Sequence, residues 1–533
     1  MAMNVAGPDG QLPALLTAPL AAGQWPVRTG GVPPAADRFN SRPETGPDLG
    51  LALGRARIVA LIAQPQRATG AASQDWLGCC GKTQLAAAFA ESVWRSRGVD
   101  LLVWVDGSSA AAVTSAYADA AAAIAGATAP GGTEAAASSF LAWLSQTDRR
   151  WLVVLDDLAD DVAGAGLVPA GPAGHVLITA TRAQSVAGLR DALMLELGPF
   201  SPREAMSYLV GRLSADPDQR RGAIDLIEDL GCHPVALAQA TATIGSSWIT
   251  CVDYRERFYQ RQTLLTATGA PPPPPPAVSW TLAVDQADQL MPGGGGQACL
   301  ALAAMLDGHG IPAGVFGTSA AAEYIAPDPA GPASLAERCR LALSSLERAG
   351  LATLESLGDL LVVRMRPVLQ RAVLAAMPPQ MSEPAARAAA AALLEAWPED
   401  DRGSGVGAML RGCAIALLHG AGDAIWAEGC PAVLIRAGQS LDRAGLANAA
   451  VAYWRELAGR CDQVLGPSHP DSLRLVEHLA GACRLAGRPG EAIAWRQRIS
   501  DDRARSLGPS HPAALSAQVS LGRSLAEAGD FGA

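Results

Sequence analysis

The hexapeptide Leu465-Gly-Pro-Ser-His-Pro470 recurs as Leu507-Gly-Pro-Ser-His-Pro512, 42 residues further along the chain. The same displacement carries Ala444-Gly445 onto Ala486-Gly487 and Ala528-Gly529, and Ala450 onto Ala492. A unit of this size cannot bury its own apolar face, so neighbouring units must stack into a solenoid. Small residues at fixed places let paired helices pack closely, and glycine ends the first helix of each pair. Residues 431–533 are therefore expected to form an all-α array. The sequence reaches Ala533 where the second helix of a third unit should begin, so truncation and a partner covering that end are both open.

Upstream the pattern changes. Residues 1–50 are rich in Gly, Pro and Ala and read as an irregular lead-in. From about Ile58, short apolar strands (58–63, 101–105, 151–155 and 176–179) alternate with alanine-rich helices such as 83–96 and 112–124. That alternation implies a parallel sheet covered on both faces, over 51–195, with a low-complexity loop at 126–137. Residues 196–268 read as a helical subdomain, and 269–278 as a linker whose proline run, 271–276, takes polyproline II geometry. Within 279–380, helices at 297–306, 311–316 and 341–349 precede strands at 351–354 and 360–365, paired across Gly358-Asp359. Three helices followed by a hairpin is a winged-helix order. A helical region, 381–430, leads into the repeats, so the fold class is multidomain α/β plus all-α.

Composition narrows the function. Apolar residues make up 49% of 533, which excludes a mainly disordered chain. The net charge of −10 argues against an overall grip on nucleic acid. No basic segment precedes an apolar core at the N-terminus, and the longest uncharged stretches are broken by polar residues, so neither a secretory signal nor a membrane span is expected. Ten scattered cysteines, with no Cys-x-x-Cys pair, argue against a disulfide framework or zinc ribbon, and a reduced cytoplasm is the expected setting. Among 41 basic residues one alone is lysine, Lys82, as if that position required a compact ammonium.

Lys82 lies in Trp76-Leu-Gly-Cys-Cys-Gly-Lys-Thr83, between a strand and a helix. A phosphate-binding loop needs glycine so that backbone N–H groups converge on the anion, a lysine for the β/γ-phosphates and a hydroxyl for magnesium. Gly81, Lys82 and Thr83 supply that end of the pattern, while Trp76 replaces its first glycine and residues 64–75 lengthen the approach. Leu152-Val-Val-Leu-Asp-Asp157 is an apolar strand ending in two carboxylates. Asp156 suits a magnesium shell and Asp157 the orientation or deprotonation of attacking water, although either could merely cap a helix. Arg182, closing Leu177-Ile-Thr-Ala-Thr-Arg182, can aim a guanidinium at a γ-phosphate or be an ordinary surface arginine. Pro234, in Gly231-Cys-His-Pro-Val-Ala-Leu237, can pack against a base or simply start a helix. His469 and His511, in Ser-His-Pro turns, fit capping better than metal ligation. Cys79 and Cys80 fit small loop residues better than redox sensors.

In order, these four segments resemble the NB-ARC branch of signal-transduction ATPases, the STAND class. Trp104-Val105, Leu195-Glu-Leu-Gly-Pro-Phe-Ser201, Val32-Pro-Pro and residues 39–44 are also similar to that branch, and the resemblance covers most of 32–533. The repeats resemble tetratricopeptide repeats of the 42-residue, kinesin-light-chain-like type. The resemblance implies a P-loop ATPase, a helical subdomain, a winged helix that packs internally and a C-terminal repeat sensor. It implies ATP/ADP and Mg2+ as cofactors. Gly78, Gly81, Lys82 and Thr83 match the phosphate loop, Asp156 and Asp157 the magnesium and hydrolysis carboxylates, Arg182 the first sensor, and Pro234 the proline near adenine. Met365-Arg366-Pro367 falls where the family has Met-His-Asp, so Arg366 takes the place of the histidine that touches the diphosphate. With Trp76, this makes hydrolysis slow at most.

Three functions follow. The first is a nucleotide-dependent switch, its repeats sensing a protein or peptide partner, with homo-oligomerisation on activation. The second is a repeat scaffold with a degenerate, non-hydrolysing core. The third, a transcription regulator, ranks last because no basic N-terminal domain is visible.

Overall fold

The computed structural model describes residues 25–527, apart from 34, 37, 38, 65–78, 126–132, 165, 190, 267–271, 292–294, 327–334, 359 and 402–404. Gly78, Trp76, most of the 64–75 insert, Asp359 and Ala528-Gly529 lie outside the described residues. The chain divides into two compact units, Met1–Gln286 with Arg348–Gly350, and Ala287–Glu347 with Leu351–Ala533.

The first unit is built on a six-stranded parallel sheet of β1 (Val27–Thr29), β2 (Ile58–Ala63), β3 (Leu101–Asp106), β4 (Trp151–Asp156), β5 (Gly174–Ala180) and β6 (Ala192–Leu197), in the order β1-β3-β4-β5-β2-β6. Helices α1 (Leu49–Arg55), α2 (Lys82–Arg95), α3 (Ala110–Ala125), α4 (Thr133–Leu144) and α5 (Asp160–Gly164) accompany it. Strand side chains alternate between two cores, as a pleat buried on both faces requires. Ala60, Val103 and Val153 join Tyr117 of α3 and Phe140 of α4 on one side. Val59, Leu102 and Val154 join Leu53 of α1 and Leu85 of α2 on the other. Because every strand runs the same way, the chain segments that leave β2, β4 and β5 emerge at one edge of the sheet.

Strands 58–63, 101–105, 151–155 and 176–179 are found within a residue or two of their expected bounds. β1 and β6 went unanticipated, since β1 has three residues and both lie at sheet edges. The expected loop at 126–137 gives way to α4 from Thr133, where Glu134 favours a helix start and alanines favour its continuation.

Four helices, α6 (Pro202–Arg212), α7 (Ala223–Asp229), α8 (Pro234–Ser247) and α9 (Cys251–Thr266), enclose a separate core of Leu209, Leu226, Leu237, Ile244, Tyr254 and Phe258. The proline run does not stay extended throughout, because Pro275 opens α10 (Pro275–Leu290), a first-turn position where a missing N–H costs nothing.

In the second unit, α11 (Gly296–Ala304), β7 (Ile311–Pro312), α12 (Ser319–Ile325), α13 (Leu335–Arg348), β8 (Ala352–Leu357) and β9 (Leu360–Met365) carry an antiparallel sheet ordered β7-β9-β8. The helix expected at 311–316 is instead β7 followed by a 3-10 turn, and α12 takes the middle-helix place. Then come α14 (Pro367–Ala376), α15 (Pro379–Ala396), α16 (Gly405–Gly420), α17 (Ala432–Arg443), α18 (Ala447–Val464), α19 (Pro470–Leu485), α20 (Pro489–Leu507) and α21 (Pro512–Glu527).

Both ends of α19 map onto α21 with the 42-residue displacement read from the sequence. Gly445 and Gly487 share a left-handed φ of +71° and +72°, the conformation that closes α17 and α19. His469 and His511 are caps, each Nδ1 accepting a backbone N–H two residues on at 3.2 Å. Among the described residues, no single helix is long and apolar enough to cross a membrane.

Candidate nucleotide site at the sheet edge

The site begins with Gly81, which caps α2 in the left-handed region at φ +88°, where a side chain would be strained. The turn brings Lys82 and Thr83 into the first helical turn, where unpaired N–H groups and the helix dipole favour an anion. Lys82 is 9% exposed. Its cation and that of Arg42 act on the buried Cys80 thiol, which burial nevertheless pushes up, so the thiol stays protonated.

From the end of β4, Asp156 faces Thr83, whose Oγ1 donates to Asp156 Oδ1 at 2.8 Å. Thr179 Oγ1, from β5, donates to the same oxygen at 2.6 Å and accepts the Asp157 N–H at 2.8 Å. Asp157 turns the chain out of the strand with φ +54°, a region that aspartate enters more readily than most residues. Its Oδ1 accepts from Thr181 Oγ1 at 3.1 Å. The helix start and both carboxylates are therefore tied together by the hydroxyls of Thr83 on α2, Thr179 on β5 and Thr181 just beyond that strand. A hydroxyl and a carboxylate in contact are hard oxygen donors, a set that fits Mg2+.

Arg182 follows Thr181 directly. It is exposed, and its guanidinium has no hydrogen bond or ion pair among the described residues. Pro234 is half-buried at the first turn of α8, after the fully turned Cys232 and buried His233. Arg366 belongs to the second unit, where it caps α14 without a side-chain capping bond. The structure thus brings together Lys82, Thr83, Asp156 and Asp157. Pro234 opens α8 in the first unit, and Arg366 belongs to the second.

Sequence reasoning missed Thr179, Thr181, Arg42 and Glu204. Thr179 is the penultimate residue of β5 and Thr181 follows its last residue, so both hydroxyls lie where the chain leaves the strand. Two hydroxyls just before Arg182 were the available signal. Arg42 is 4% exposed, with Nη1 donating to Gly198 O at 2.7 Å, Nη2 donating to Cys80 O, and its guanidinium 4.6 Å from the Phe200 ring centroid. Glu204 completes a capping box on α6 with Ser201. It also accepts the N–H groups of Glu44 at 2.9 Å and Thr45 at 3.1 Å, and the Thr45 hydroxyl at 2.6 Å. Burial pushes the Glu204 carboxyl up, but hydrogen bonds from Thr45, Ser201 and Glu44 hold it below its ordinary range. Residues 40–45 therefore strap the turn at Cys80, just before α2, to α6.

No family model and no curated protein matches the chain. Among solved structures, the chain is similar to a Signal Transduction ATPase with Numerous Domains (STAND) protein with a tetratricopeptide repeat sensor from Pyrococcus horikoshii. The identity is 12% and the TM-score 0.36, over 96% of this chain and 80% of that one.

Proposed function

We propose that this chain is an ATP/ADP-binding signal-transduction switch of the NB-ARC type within the STAND class. The observation that carries the reading is the contact between Thr83 and Asp156 beside the buried Lys82, at the left-handed start of α2. Lys82 and the N–H groups of that turn bind the β/γ-phosphates, and Gly78 and Gly81 complete the loop. Thr83 and Asp156 hold the metal; magnesium, when bound, neutralises charge between the phosphates. Asp157, fixed by Thr179 and Thr181, orients the attacking water, and Arg182 contacts the γ-phosphate. Pro234 packs against adenine, and Arg366 replaces the family's diphosphate-touching histidine, which makes turnover slow.

ADP favours the closed state and ATP the open one, because the two nucleotides make different contacts in each. Repeats of the kinesin-light-chain-like type receive a protein or peptide partner, and homo-oligomerisation accompanies activation in the cytoplasm.

Denaturing purified protein and identifying the released nucleotide by chromatography tests this reading. ADP or ATP should be released by wild type and be absent from Lys82→Ala. Asp157→Ala should keep nucleotide and hydrolyse it at least about tenfold more slowly. Wild-type protein without nucleotide, and with no measurable affinity for it, would leave the repeat-based scaffold as the function.

A further inference from the structure

Arg42 is held against three opposing tendencies at once. Its backbone is left-handed at φ +56°, a region that few residues other than glycine, asparagine and aspartate enter. Its guanidinium is buried, and burial pulls its pKa below the ordinary arginine value, with Cys80 and Glu204 acting the other way. Among the described residues, its side-chain hydrogen bonds go to two main-chain carbonyls, Gly198 and Cys80, rather than to a carboxylate. The chain closes tightly around it. Gly46 donates its N–H to Arg42 O at 2.8 Å, and a Cβ on Gly46 would fall 2.8 Å from the Arg42 Cβ. Asn40 Oδ1 accepts the Arg42 N–H at 2.9 Å, while Asn40 Nδ2 donates to Glu204 O at 3.1 Å. Strain of this kind persists only where the surroundings enforce it, and it gathers at functional sites.

The Cys80 carbonyl and the Gly81 N–H belong to one planar trans peptide unit and point in opposite directions from it. A guanidinium that holds the carbonyl on one side therefore fixes the direction of the N–H on the other, and polarises it. That N–H lies at the left-handed start of α2, beside the first-turn groups that favour an anion. A Cβ on Gly81 would lie 3.9 Å from Arg42 Nη2, so the guanidinium sits close against this turn. Its planar fork spans Cys80 O and Gly198 O and so ties the turn to the chain leaving β6, a bridge that a single ammonium does not make. We propose that Arg42 is a positioning residue for nucleotide binding: without touching the nucleotide, its guanidinium aims the Gly81 N–H at the phosphates. The proposal rests on the reading of this turn as a nucleotide site, and it names what shapes that site. Linkage makes the effect reciprocal, so a bound nucleotide must in turn stabilise the 40–45 strap.

The test titrates a fluorescent ADP analogue into the full chain. Wild type should bind it, and Arg42→Gly at least about tenfold more weakly. Glycine accepts φ +56° without strain, so circular dichroism should show the variant folded. Guanidinium chloride at a non-denaturing concentration should then restore affinity to Arg42→Gly by refilling the vacated site. It should not improve wild type, and sodium chloride of equal ionic strength should rescue neither. A merely structural loss would not respond in this way. Independently of any variant, the N–H groups of Arg42, Glu44 and Thr45 should exchange more slowly in wild type when the analogue is bound. Equal affinity in Arg42→Gly, a loss that guanidinium fails to reverse, or unchanged exchange in that segment would each overturn the proposal. A wild-type chain that does not bind the analogue removes the switch reading and this proposal together. Binding by wild type with equal affinity in Arg42→Gly removes the role of Arg42 alone.

Discussion

At the end of β4, Asp156 is held by Thr83 and Thr179, 73 and 23 positions away, and Asp157 by Thr179 and Thr181, 22 and 24 positions away. In the array, by contrast, the ion pairs repeat one another. Arg455–Glu491 at 2.7 Å and Arg498–Asp462 at 2.9 Å both join α18 to α20 at a separation of 36 residues. These pairs are part-exposed and worth little singly. The difference teaches where each region is vulnerable. The strand-end cluster depends on one parallel register, and a single lost hydroxyl opens it. The array spreads its polar contacts and concentrates its stability in apolar joints.

The comparison breaks hardest at Trp454. Its indole is fully buried, stacks on His478 at 4.5 Å with planes 10° apart, and lies where a Cβ on Gly438 would fall. Trp454→Ala should destabilise the array by about 3–5 kcal/mol, and denaturant unfolding followed by circular dichroism measures it. A loss as small as that of a surface ion pair would show that the joints are not where the stability resides.

Thr179→Val sharpens the other half. It keeps the side chain's shape while removing the donor to Asp156 and the acceptor for the Asp157 N–H, at about 1–3 kcal/mol. The cost should fall on the first unit alone, seen as faster amide exchange at the β4 and β5 ends with the repeats unchanged. Uniform exchange throughout would mean that the hydroxyl bridges nothing of consequence.

The smallest effect concerns pH. Burial holds the His478 imidazole below its ordinary range, with Arg474 adding to the shift and Glu477 opposing it. A histidine depressed in the folded state contributes stability that is complete above about 6.5, its unfolded value, and is lost as pH falls toward the folded value. The array's denaturation midpoint should therefore decline between pH 7 and pH 5, and His478→Phe should flatten that decline while keeping the stack. An identical slope in the variant would assign the pH dependence to another group.

Much of this was legible in the sequence, for physical reasons that differ by region. β2, β3, β4 and β5 are buried on both faces and therefore read as apolar runs. The array was legible because a recurring turn fixes the helix ends and so their lengths. Lys82 stood out because arginine fills the other basic positions. Arg42 and Thr179 did not stand out. A threonine inside a strand reads as an ordinary β-branched residue, and an arginine in a Pro/Gly-rich lead-in reads as solvent-facing. What gives each its importance is a partner brought near only by folding: Asp156 for Thr179, Cys80 and Gly198 for Arg42. β1 was missed because three residues leave no period to detect.

The equal lengths of α19 and α21 and the matching caps at His469 and His511 set successive repeats 42 residues apart. Growth of the array by duplication then keeps the helix ends in step while the residues at each joint diverge, as Trp454 and His478 give way to Arg496 and Ser520. Evolution, or an engineer, can lengthen this protein in whole increments and leave the parallel-sheet unit unedited.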